Sequence, residues 1–118
     1  MDIDTIRKIT QRIHPWMKEI RRDFHMYPEL GKKEFRTQEK ICRYLEEMRI
    51  PWEKKAGTGV VGFIQGKSSG KLVGLRADID ALPMQEKNDV SYRSKNDGVM
   101  HAWVMTLTQR SSWALPGS

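Results

Sequence analysis

The stretch Gly59–Pro83, GVVGFIQGKSSGKLVGLRADIDALP, decides the fold class. Val60, Val61, Phe63 and Ile64 form a β-branched and aromatic run bounded by Gly59 and Gly66, and Leu72, Val73 and Leu75 form a second run. Short apolar runs between glycines are the pattern of strands. Lys67-Ser68-Ser69-Gly70 between them has turn chemistry, so strands over Gly59–Gln65 and Lys71–Ala77 are expected, joined as a possible hairpin. A weaker extended piece precedes them at Trp52–Lys54.

Upstream the period changes. Ile6, Ile9, Ile13, Trp16, Met17 and Ile20 recur at spacings of three and four, which predicts an amphipathic helix from Asp4 to about His25, with Asp2 or Asp4 as N-cap. Pro15 lies inside that pattern and predicts a kink or a division into two helices. After a loop at Tyr27–Gly31, a second helix is expected over Glu34–Met48, with Phe35, Ile41, Tyr44, Leu45 and Met48 on its apolar face. Helices followed by strands predict an α/β or α+β layered fold.

Composition narrows the function classes. The 118 residues fit one small domain, and an apolar content of 38% is lean for a self-sufficient core. The formal charge of +6 permits anion binding, but the basic residues are scattered along the chain, which argues against a nucleic-acid interface. A single cysteine, Cys42, excludes an internal disulfide and reads as a small helical side chain in a reducing cytoplasm. The N-terminal MDIDTIRKIT lacks the apolar centre of a signal peptide, and no window approaches the roughly 18 apolar residues of a membrane span.

Candidate chemistry lies where the second apolar run ends. Asp78 and Asp80 are two apart, so in an extended segment their carboxylates share a face and can converge on a cation or orient a metal-binding imidazole. The competing reading is a strand that ends in two solvated aspartates. A second candidate group is His25, Glu29 and Glu34 in RRDFHMYPELGKKEFRT. The three histidines, His14, His25 and His101, form no pair at metal-ligand spacing, so spacing alone yields no complete catalytic constellation.

Four ordered motifs add a resemblance. FHMYPELGKKEFRT, GTGVVGFIQG, GLRADIDALPMQE and DGVMHA, covering about Ile6 to Ala102, resemble the N-terminal portion of the zinc amidohydrolases that include aminoacylases, auxin-conjugate hydrolases, hippurate hydrolases and carboxypeptidases. The resemblance implies part of a zinc-exopeptidase-like α/β catalytic domain. It also implies a two-zinc site at which a metal-bound water attacks the amide of an N-acyl amino acid or small peptide. Residue by residue, Asp80 matches the aspartate that supports the metal ligands, Asp78 stands where relatives often have a histidine ligand, and His101 matches the first histidine of the family's HACGHD motif.

Trp103 stands where that motif has its metal-binding Cys. The tail from Trp103 to Ser118 has neither helical nor strand period. Restoring one base in the codon after Ala102 forces a Gly from Trp103 and Val104, an Asp from Met105 and Thr106, and a Gly from Trp113 and Ala114. The free wobble bases can then complete Cys-Gly-His-Asp-Ala-His-Thr-Ala-Ile-Leu-Leu-Gly-Ala-Ala. The expectation is therefore a catalytic-domain portion over 1–102 and an out-of-frame tail over 103–118. Such a chain lacks most of the metal ligands and the general-base Glu, and it is expected to be inactive and to bind no zinc by itself. Two other classes stay open, a small basic binding module and a structural fragment that self-associates through an unfinished sheet.

Overall fold

The computed structural model describes residues 1–67 and 70–102, and the tail beyond Ala102 lies outside the described residues. Helix α1 spans Ile3–Met26. Its N-cap is Asp2, whose carboxylate accepts the Thr5 amide at 2.7 Å and the Thr5 hydroxyl at 3.0 Å. The helix runs through Pro15 as one element instead of dividing in two. Proline removes only one main-chain bond, and the flanking turns keep theirs.

Helix α2 spans Phe35–Glu47. Its N-cap, Glu34, makes no side-chain capping bond. Glu29 supplies one from outside the helix, accepting the Arg36 amide at 3.0 Å and the Thr37 amide at 2.7 Å. That placement satisfies two orphan donors and sets a negative charge against the positive end of the helix dipole. Asp23 of α1 takes both contacts of the Arg36 guanidinium nitrogen, at 2.8 and 3.0 Å, and the rings of Trp16 and Phe24 meet Tyr44 edge-on. These contacts join the two helices.

The buried stripe of α2 differs from the expected one. Thr37, Gln38 and Cys42 are buried, whereas Phe35 and Met48 are exposed. Hydrogen bonding accounts for the polar member Gln38: its amide donates to the carbonyls of Gly57 (2.8 Å) and Gly59 (3.1 Å), fastening the helix to the turn beyond it.

Strands β1 (Trp52–Lys55) and β2 (Gly59–Gly62) form an antiparallel hairpin, with Trp52 opposite Gly62 and Lys55 opposite Gly59. This corrects the expected pairing of Gly59–Gln65 with Lys71–Ala77. The piece read as weakly extended is the real partner, because Ala56-Gly57-Thr58 closes a short turn with φ of 52° at Ala56 and 82° at Gly57. Among the described residues Lys71–Ala77 forms no regular strand, only a single bridge position at Gly74, and its side chains are exposed. An apolar run marks strand propensity without deciding which segment it pairs with.

Beyond it the chain returns to the helices through two single bridges. Leu30 pairs with Ala81 in parallel fashion, and Leu82 pairs with Met100 antiparallel. The result is α/β: two helices, a two-stranded antiparallel ribbon and an incomplete sheet. Among the described residues Pro28, Ala81 and Cys42 are buried apolar side chains, accompanied by the buried polar residues His25, Glu34, Thr37, Gln38, Thr58 and Glu86. Among the described residues no helix is long and apolar enough to cross a membrane.

Candidate functional site

Asp80 and His101, far apart in sequence, are brought together by main-chain pairing. The Ala81 amide donates to the Glu29 carbonyl at 2.8 Å, which seats Asp80 beside the loop after α1. Leu82 and Met100 exchange both main-chain hydrogen bonds, at 2.9 and 3.0 Å, so His101 leaves the same bridge that Asp80 enters. Gly31 lies under Asp80: a Cβ there would sit 3.7 Å from Asp80 Oδ2 and 4.0 Å from Glu34 Oε1.

The two residues line an open cleft of about 390 Å³ between the helices and the segment Asp78–Asp80. Met17, Ile20, Phe24 and Ile41 form its apolar wall, and Arg21, His25, Asp78, Asp80 and His101 form its polar wall. His101 Nε2 is buried and has no hydrogen-bond partner among the described residues. Burial and the neighbouring His25 push the His101 pKa down, against the pull of the Asp80 carboxylate and main chain. Both downward influences favour the neutral imidazole.

The other expected site residues take distinct places. Asp78 reaches the cleft and shares its wall with Asp80, and its carboxylate is engaged by Arg76 at 3.1 Å. Glu29 caps α2. Glu34 is buried and accepts the Thr58 hydroxyl at 2.7 Å, which ties the start of α2 to the hairpin turn. His25 Nε2 lies 2.8 Å from Glu86 Oε1, and both side chains are buried.

Glu86 is the residue that sequence reasoning missed. Burial alone would raise its carboxyl, but the Ser94 amide, His25 and the Asn88 side chain together hold its pKa below the ordinary glutamate value. Nothing in the polar stretch around it distinguishes a buried acid from a solvated one. Among the described residues no three His, Cys, Asp or Glu side chains converge to hold a metal ion. His101 offers one ring nitrogen, and the described donors do not by themselves fit a metal centre.

Comparison with known proteins places this geometry. No family model matches the chain. It is 41% identical over 102 residues to thermostable carboxypeptidase 1 of Saccharolobus solfataricus, covering 85% of this chain and 26% of that protein. It is 44% identical over 91 residues to the N-acetylcysteine deacetylase of Bacillus subtilis, covering 75% and 24% respectively. The crystal structure of Bacillus subtilis YXEP, described as a dinuclear metal binding peptidase from the M20 family, superposes with a TM-score of 0.73 at 42% identity, covering 77% of this chain and 26% of that one.

Fold and sequence thus define the class as metal-dependent amidohydrolases and peptidases. The chain is homologous to these carboxypeptidases, amidohydrolases and M20 peptidases over most of its own length, and it spans about a quarter of the length of the relatives it matches.

Proposed function

We propose that the chain is the N-terminal portion, residues 1–102, of a metal-dependent amidohydrolase that cleaves N-acyl amino acids or small peptides, followed by an out-of-frame tail. On this reading the chain alone does not turn over substrate. One observation carries it: Asp80 and His101 line one cleft directly before Ala102, where the family's metal-binding motif continues and this sequence departs from it. The activities of the relatives support the substrate class, and the dinuclear neighbour supports zinc or another divalent metal in the complete domain. The described residues of this chain provide Asp80 as a support and His101 as an imidazole. They do not complete a donor set, so no hydrolytic step is assigned to them. A reducing cytoplasm fits the single cysteine.

The uncovered apolar residues favour a second property, self-association. Ile64, Leu72 and Leu75 are 83%, 81% and 94% exposed, and the hairpin leaves open strand edges.

Two measurements test the reading. The purified chain, supplied with zinc, cobalt or manganese, is expected to release no amino acid from N-acetyl or N-benzoyl substrates. Restoring one base after Ala102 in a gene that reads on downstream is expected to give a longer, metal-binding, active product, in which Asp80→Ala lowers kcat/KM by about 10- to 100-fold. Metal-dependent turnover by the unrepaired chain, or an early stop in the repaired frame, overturns it.

A further inference from the structure

We propose that the buried Glu86–His25 pair is the positioning device of the candidate site: it locks the loop Leu82–Met100 onto the end of α1 and so sets His101 opposite Asp80. The inference rests on the reading above, in which Asp80 and His101 belong to the site. The Leu82–Met100 bridge closes the loop with only two hydrogen bonds, and no helix or strand lies within it. Its shape comes from Glu86 instead. Oε2 accepts the Ser94 amide at 2.6 Å, Oε1 accepts the Asn88 side chain at 3.3 Å and faces His25 Nε2 at 2.8 Å, and the Glu86 carbonyl accepts Arg93 at 2.6 Å.

The folded loop grips α1 and the turn after it at further points. The Lys95 amide donates to the Met26 carbonyl and the Asn96 side chain to the Pro28 carbonyl, both at 2.8 Å, while the Tyr92 ring meets His25 edge-on. His25 also lines the cleft beside His101. One carboxylate therefore joins two things: the turn of the loop, through Asn88 and Ser94, and the end of α1, through the His25 imidazole that lines the cleft. Burying a charged acid at 1% exposure is unfavourable unless every oxygen is satisfied, and here both are.

A merely structural Glu86 would stabilise the chain without selectively affecting His101, and NMR of the full chain separates the two roles. In Glu86→Ala the ring signals of His101 are expected to shift and its contacts to Asp80 to vanish, while α2 and hairpin amides keep their positions. Gln38→Ala, which loosens the hairpin far from the loop, is expected to leave the His101 signals in place. Should Glu86→Ala fail to fold, Glu86→Gln is read the same way, with Ser94 amide protection falling at least about tenfold and His101 shifting. Unmoved His101 signals in the folded Glu86 variant overturn the proposal, as does an equal shift in Gln38→Ala. These signals do not depend on activity, so an inactive frame-restored product would sink the functional reading and leave the positioning role standing.

Discussion

Glu34 and Glu86 are nearly sealed from solvent, at 5% and 1% exposure, yet each carboxyl is held below its ordinary pKa. For Glu34, burial pushes the value up, and the Thr58 hydroxyl with the local amides outweighs it; for Glu86 the Ser94 amide and His25 do the same. A carboxyl whose pKa is lower folded than unfolded stabilises the fold fully above its unfolded value of about 4.3. That contribution is lost as the pH falls through the folded value. Urea midpoints are therefore expected to be level near neutrality and to decline as the pH drops below about 5, with Glu86→Gln giving a shallower decline than wild type. Glu86→Ala, which strands the Ser94 amide and His25 without their acceptor, is expected to lower stability by about 1–3 kcal/mol in urea unfolding.

At the level of elements, the hairpin depends on glycine where no other residue fits. A Cβ on Gly59 would lie 2.8 Å from the Lys55 carbonyl oxygen, a main-chain atom that cannot move aside without breaking the turn. Gly59→Ala is expected to cost about 1–3 kcal/mol and to reduce hydrogen-exchange protection in both strands. Helix α1 and the approximate span of α2 were legible because three-and-four spacing reports helices directly. The partner of β2 was not, because the apolar runs at Gly59 and Lys71 look alike, while closure was decided by the positive φ angles of Ala56 and Gly57. The buried face of α2 was misread for a related reason. Gln38 and Thr37 go inside with polar partners or the cap beside them, whereas hydrophobicity pointed to Phe35 and Met48, which are exposed. At the site, Asp80 and His101 were legible as candidates, but their juxtaposition depends on the Leu82–Met100 bridge and on Glu86, neither of which has a periodic signature.

At the scale of the molecule, the apolar residues left uncovered outnumber those buried among the described residues. Hydrophobic attraction between copies is opposed by a net charge of +6, and salt screens that repulsion over about 10 Å at 0.1 M. Sedimentation is therefore expected to show association that rises with both protein and salt concentration, and Leu72→Glu with Leu75→Glu is expected to suppress it. The repulsion weakens with salt while the apolar contact does not. Cys42, meanwhile, sits buried in α2 on the stripe that holds Gln38 against the hairpin turn, and it is the only thiol in the chain. A maleimide can reach it only when α2 lifts away from its packing, so the labelling rate is a clock for that opening. Timed against Ser94 amide exchange, the clock tells whether the helix–hairpin half and the Glu86 loop open together or as separate units.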